Sequence, residues 1–447
     1  MPRSLIDIWR AAEADRAIAM RRGRHIGRSE FWGEVAALAA KLPTRKYILN
    51  LCTDRYRFMA GFAAALQRRQ ISLMPSSDAP GVLQSLLADY PDVYALTDTA
   101  PPALPHLIYP ELPDARPSRP LPDIPDAQPA LVLFTSGSTG KPKPVQKSWG
   151  VLRHSALAAG VRLGAPHLAG ATIIGTVPHQ HSYGLESTVL LGLLNDMIVD
   201  AGWPLYPADI RRAIAAAPRP RILVTTPVHL RALLAEPDDM PQLDLILSAT
   251  APLPLSLAQA AEACFAAPLI EIYGCTEAGQ VATRRTTQAT QWQCFDGIEL
   301  SQDGEKTWAS GPAVEGSALL HDRIEQTGPA NFYLGEREAD LVDVAGKRAS
   351  LAQLTLQLVS IAGVEDGVFI MGESDGRPVP RLMAVAVAPG LSAAEILRAL
   401  RRQIDPAFLP RPLILVDVLP RDRLGKLPRA ALLELGRRPL GRRHNAT

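Results

Sequence analysis

Between Leu131 and Tyr273 short apolar runs alternate with stretches of helical spacing, and this alternation limits the chain to few architectures. Leu131–Phe134, Ala171–Val177, Arg221–Thr225, Leu243–Ser248 and Leu269–Tyr273 read as strands. Leu185–Leu194, Pro227–Ala235 and Leu257–Phe265 between them read as helices. Strand and helix in turn predict an α/β sheet with helices on its faces. Proline crowds the segment from Pro101 to Pro129, which predicts an extended surface connector, because proline donates no ladder hydrogen bond. After Leu334 the pattern changes. A charged stretch, Gly335–Asp340, precedes a helix near Leu351–Ile361, strands at Gly367–Met371 and Leu382–Ala388, a helix at Ala393–Ile404 and a strand at Leu413–Val418. These elements predict a separate small α+β domain.

Bulk properties exclude several classes. With 447 residues, two to three domains are expected, and 47% hydrophobic with 21% charged residues is ordinary for a soluble globular protein. A net charge of +2 gives no basic field for nucleic acid or a membrane surface. The arginines at Arg437, Arg438, Arg442 and Arg443 read as a solvated tail. Cys52, Cys264, Cys275 and Cys294 lie too far apart for a zinc or disulfide framework, so a reducing cytoplasm is expected. The N-terminal stretch through Arg10, Asp15, Arg16 and Arg21 lacks a signal-peptide core, and no run approaches the ~18 apolar residues of a membrane span.

The strongest local signal is Thr135-Ser-Gly-Ser-Thr-Gly-Lys-Pro-Lys143, directly after a strand. Its glycines let backbone N–H groups approach an anion, and its hydroxyls and ammonium groups donate to phosphate oxygens. It is not a Walker loop. Thr135 stands where that motif requires glycine, and Pro142 follows Lys141 where it requires Ser or Thr. A plain Gly/Ser surface turn is the alternative, but two lysines and the preceding strand argue against it.

Thr135–Lys143 resembles the phosphate loop of the acyl-adenylate-forming (AMP-binding) superfamily, which includes aryl/acyl-CoA and aryl/acyl-carrier-protein ligases. Further segments fit the same resemblance in order. Tyr273-Gly-Cys-Thr-Glu-Ala-Gly279 resembles the family's Y-G-x-T-E segment. The resemblance implies that Glu271, Ile272 and Tyr273 line the nucleotide, with Tyr273 stacked on adenine. It also implies that Thr276 meets the α-phosphate and Glu277 holds Mg²⁺, in line with the taste of a hard cation for carboxylate. Ala249, Thr250 and Ala251, in Ser248–Leu253, match its small-residue turn beside adenine. His181, in Pro178–Gly184, falls where the family places an aromatic or histidine next to the acid. Asp322 and Arg337, fifteen residues apart, resemble its ribose-binding aspartate and nucleotide arginine, although Leu-His-Asp replaces the usual T-G-D. Arg421–Arg429 resembles its mobile loop, with Lys426 as the catalytic lysine. For Thr135, Ser136, Gly137, Ser138, Thr139, Gly140 and Lys143 the implied partner is the phosphate chain of ATP.

The resemblance therefore implies a large multi-sheet α/β N-terminal domain, 1–336, and a small mobile α+β C-terminal domain, 337–447. It departs at Ala339, where the family's hinge carries Asp or Lys, and at Asp343, where lysine is frequent; Gly346-Lys-Arg348 keeps the glycine turn near the thiol tunnel. The expected reaction is two-step: acid and ATP·Mg²⁺ give an acyl-adenylate, and a pantetheine thiol of CoA or an acyl carrier protein then takes the acyl group. The short chain favours a small aryl acid such as a hydroxybenzoate. A medium-chain fatty acyl ligase and a non-catalytic nucleotide-binding relative are the alternatives.

Overall fold

The computed structural model describes residues 16–75, 80–100, 102–112, 123–135, 143–164, 167–235, 240–337, 341–344, 347–372, 381–421 and 427–437. The chain divides into two compact units. The first holds residues up to Ala249, Ala258–Leu320 and Gln326–Phe332; the second holds Thr250–Leu257, His321–Glu325 and Tyr333 onward.

Two large sheets build the first unit. One runs in the order His106–Ile108, Val93–Thr97, Tyr47–Asn50, Ile71–Met74, Pro129–Thr135, Lys143–Ser148. Its first five strands are parallel and only the last is antiparallel. In the second, Ala17–Arg21, Ile198–Asp200, Thr172–Gly175, Arg221–Thr225, Leu245–Ser248 and Leu269–Cys275 lie side by side in parallel. Antiparallel strands Gly279–Arg284 and Trp292–Cys294 extend it. A small antiparallel sheet, Glu299–Asp303, Lys306–Ser310 and Ser317–Leu320, completes the unit. Central strands such as Leu245-Ile-Leu-Ser248 are buried at every residue, as a parallel strand covered on both faces must be.

The main core joins helices Arg28–Lys41, Arg55–Gln67 and Trp149–Arg162 to the turns around Leu185–Leu194, through Phe31, Trp32, Phe58, Phe62, Trp149 and Leu190. Asp54 starts the second of these helices, its carboxylate accepting from the Arg57 N–H at 3.0 Å.

In the second unit a hairpin, Leu341–Val344 with Lys347–Ser350, leads into helix Leu351–Val359, capped by the Ser350 hydroxyl. Leu382–Val387 pairs antiparallel with Asp366–Met371 and parallel with Leu413–Leu415. Leu382, Ala384 and Ala386 pack with Leu354, Phe369, Ile396 and Leu413, while Met383, Val385 and Val387 pack with Ile370, Leu419 and Leu432. Both faces being covered explains the unbroken apolar run Leu382-Met-Ala-Val-Ala-Val387.

The expected α/β architecture with a smaller C-terminal α+β part is present. Three readings need correction. The proline-rich stretch is not wholly an exposed connector, since it contains the strand His106–Ile108 and buries Tyr109, whose hydroxyl donates to Glu34 at 2.6 Å. The expected alternation starts too late in the chain: Tyr47–Asn50, Ile71–Met74 and Val93–Thr97 are strands as well, each with a polar residue, Asn50, Ser72 or Thr97, that shortens or breaks its apolar run. Finally, Leu185–Leu194 is not one α-helix: a π-helical stretch, Leu185–Leu190, precedes α-helix Leu191–Leu194. No helix among the described residues is long and apolar enough to cross a membrane.

Candidate active site

The predicted phosphate segment joins two paired strands. Pro129–Thr135 and Lys143–Ser148 form an antiparallel hairpin in which Thr135 faces Lys143, so the peptide between them must start and finish at one place. Ser136, Gly137, Ser138, Thr139 and Gly140 lie outside the described residues, as does Lys426. Thr135 and Lys143 form the last pair at one end of the ladder, and Pro129 and Ser148 the pair at the other.

The Tyr273–Gly279 segment forms a second hairpin. Strand Leu269–Cys275 turns through Thr276, Glu277 and Ala278 into strand Gly279–Arg284, with Cys275 paired to Gly279. Thr276 and Glu277 are half-buried at the tip. Tyr273, 8% exposed, has its ring 5.7 Å from Trp292 and 5.9 Å from Phe332, which fixes its orientation. Ile272 is buried beside it. Glu271 is already engaged, its carboxylate accepting from Arg284 Nε at 2.7 Å and Thr286 Oγ1 at 2.9 Å. Arg284 in turn lies 4.5 Å over the Trp292 ring.

One strand over, Ser248 ends its strand in register with Glu271, and Ala249 is buried immediately after. Thr250 has φ 78°, a left-handed conformation rare for a β-branched residue and characteristic of constrained functional turns. It is exposed, and Ala251 is half-buried. His181 is half-buried at the start of the short helix Ser182–Gly184, and its carbonyl accepts from the Leu185 N–H at 2.7 Å.

Four functional-site neighbours escaped the sequence reading. Lys147 is 2% exposed and its ammonium donates to the Glu277 carbonyl oxygen. Burial lowers its pKa, and the charge of Glu186 opposes that shift. Glu186, from the π-helical stretch, accepts from Ser182 Oγ at 2.5 Å and from the Gln280 N–H at 3.2 Å. Arg55 is fully buried and its guanidinium donates to the carbonyls of Gly175, Val177, Asp200 and Gly202. His179 is fully buried against Phe58 and Trp203, with Nε2 donating to the Cys52 carbonyl at 2.9 Å and Nδ1 unpartnered. One signal for Lys147 existed: it shares strand parity with Val145, which faces inward.

Strands Asp322–Gln326 and Asn331–Arg337 are neighbours. Thr327 N–H donates to the Asn331 carbonyl, and a Cβ at Gly335 would lie 3.0 Å from the Arg323 carbonyl. That register brings the buried Asp322 and the end of the strand at Arg337 to one end of the hairpin. Arg421 is held by Asp366 through two hydrogen bonds of 2.8 and 2.7 Å, and Leu427 packs against the sheet.

The donor set around Thr276 and Glu277 suits Mg²⁺, which takes one or two carboxylates beside substrate phosphates and keeps several waters. No cluster of three or more His, Cys, Asp or Glu residues able to cage a metal without substrate occurs among the described residues.

Residues 36–304 match the model of the AMP-binding enzyme family, over more than half of the chain. The chain belongs to the AMP-binding enzyme family. This AMP-binding enzyme is similar to 4-coumarate–CoA ligase of Rhodobacter capsulatus, at 29% identity over 66% of this chain and 74% of the relative. It is also similar to 4-hydroxybenzoate–CoA/benzoate–CoA ligase of Rhodopseudomonas palustris, at 25% identity over 91% and 81%. Among solved structures, o-succinylbenzoate CoA synthetase from Bacillus subtilis shares the fold. Its complex with the acyl-adenylate OSB-AMP has a TM-score of 0.80 and 19% identity, covering 97% of this chain and 98% of that one. Its complex with ATP and magnesium also has a TM-score of 0.80, at 18% identity over 96% and 99%. Family membership and these ligase relatives make the AMP-binding enzyme an AMP-forming acid–thiol ligase.

Proposed function

We propose that this ligase activates a small aryl acid, with a hydroxybenzoate favoured, and delivers the acyl group to the pantetheine thiol of CoA. The observation that carries the reading is the pair of hairpins. The strand leaving the phosphate segment is tied through Lys147 to the carbonyl of Glu277, so the predicted phosphate-binding and metal-binding residues share one rigid support. The curated relatives named above act on aryl acids, which supports the substrate class.

In this reading ATP enters with its phosphates on Thr135–Lys143 and its adenine between Ala249–Ala251 and Tyr273. Asp322 takes the ribose hydroxyls and Arg337 also contacts the nucleotide. Bound Mg²⁺ would neutralise phosphate charge, and Glu277 and the substrate's own oxygens would hold it. Thr276 meets the α-phosphate, and His181 sits beside the acid. Attack of the carboxylate on the α-phosphorus draws two anions together, so an ammonium bridging them lowers the barrier; Lys426 is assigned that role. Residues 337–447 form the domain that carries it. The thiol then attacks the acyl carbon, and AMP leaves.

Acid-dependent exchange of pyrophosphate into ATP, run over a panel of hydroxybenzoates, cinnamates and medium-chain fatty acids, tests the first step. Aryl acids should give the fastest exchange. Fatty acids outpacing them would reject the substrate class, and exchange with no acid in the panel would reject the reading. CoA compared with a phosphopantetheinylated carrier protein as acceptor tests the second step.

A further inference from the structure

Where the two hairpins meet, one lysine and one glutamate are buried, and neither is in the set that the family resemblance singled out. Lys147 reaches the turn Thr276–Ala278 from one side through the Glu277 carbonyl. Glu186 takes hold just past the turn through the Gln280 N–H, and the Gln280 side chain donates to Ser187 Oγ at 2.8 Å. Ser155 Oγ, from helix Trp149–Arg162, also donates to Glu186 at 3.3 Å. The two groups therefore tie the turn to the strand leaving the phosphate segment, to the π-helical stretch behind His181, and to the helix that follows Lys147. The Glu186 charge favours the buried Lys147 ammonium across space, while each group's direct bonds go elsewhere, so removing one leaves the other buried with less to offset its desolvation. A nonpolar side chain at either place would fill the same volume, so packing alone does not call for these two.

We propose that Lys147 and Glu186 are positioning residues that hold the Thr276–Ala278 turn, and with it the Glu277 carboxylate, in the pose that receives a divalent cation with ATP. The inference rests on the proposed nucleotide site. Groups that orient a metal ligand from behind typically change metal affinity by about 10- to 100-fold when lost.

Mn²⁺, followed by electron paramagnetic resonance while titrated into the full chain with ATP, reads the metal without relying on turnover. Lys147→Met should weaken Mn²⁺ binding by about 10- to 100-fold. The double variant Lys147→Met with Glu186→Gln removes the unpaired charge, so its melting temperature should recover toward wild type while Mn²⁺ binding stays weak. It also decides the matter should the single variant fail to fold. Recovery of Mn²⁺ affinity along with melting temperature would reduce the pair to a structural role and overturn the proposal. So would wild-type affinity in a folded Lys147→Met chain. If the wild type performs acid-dependent exchange in either case, only this inference falls. A wild type that binds no Mn²⁺·ATP overturns it together with the nucleotide reading.

Discussion

Burial holds the His179 imidazole at about 3 and His229 at about 4, both below the ordinary histidine value; for His179 the nearby Arg55 charge adds to the effect. The unfolded chain protonates each near the ordinary value of about 6.5, whereas the folded chain leaves both neutral until much lower pH. Their contribution to stability is therefore complete above about pH 6.5 and declines as pH falls toward the folded values, by up to about 1.4 kcal/mol per pH unit for each group. Urea midpoints at pH 7.5 and 5.5 should show this loss, and His179→Gln, which keeps a donor for the Cys52 carbonyl, should lessen it. An unchanged pH slope in that variant would mean His179 does not titrate as described. Lys426, assigned the bridging ammonium, poses a different residue-scale question. Lys426→Ala should cut acid-dependent exchange by roughly 10²–10³ while leaving the melting temperature unchanged. Undiminished exchange would remove the catalytic assignment.

Among the elements, the hairpin of Leu269–Cys275 and Gly279–Arg284 tolerates no widening. A Cβ added at Gly274 would lie 2.2 Å from the Gly279 carbonyl oxygen, within the backbone of the partner strand. Gly274→Ala should destabilise the fold by about 1–3 kcal/mol and reduce exchange more than its stability loss accounts for, because the displaced turn carries Thr276 and Glu277. Denaturation and exchange on the same preparation check this; a stable variant with full exchange would show that the turn moves freely. Element identity was legible where periodicity was long and unambiguous. Pro227–Ala235 and Arg221–Thr225 came out with their expected bounds. Ends were less legible. The predicted helix Ala393–Ile404 stops at Leu400, where Arg402 N–H switches to the Ala399 carbonyl and the last turns tighten. The predicted strand to Val418 stops at Leu415, on a strand paired only along Leu382–Val387. The π-helical stretch Leu185–Leu190 left no trace in residue spacing, since the spacing of its apolar residues fits an α-helix equally well.

At the scale of the molecule, the second unit has a core of its own around Leu354, Phe369, Ile396 and Leu413. If the boundary proposed at 336/337 is right, residues 337–447 expressed alone should unfold in one cooperative transition by circular dichroism. A gradual, noncooperative melt would place the boundary elsewhere, at the cost of the segments Thr250–Leu257 and His321–Glu325 that cluster with it. The sequence alone determined the α/β class, the nonapeptide after a strand, and the order of the segments around it. Each is written in local pattern: apolar runs long enough to be covered on both faces, and hydroxyls and lysines too dense for an ordinary turn. Only the tertiary structure decided which polar groups face inward. Lys147 and Glu277 lie 130 residues apart, and Glu186 and Gln280 lie 94 apart. A lysine or glutamate reads as solvent-facing until folding supplies the carbonyl or amide that offsets its dehydration, and no window of neighbouring residues contains that partner.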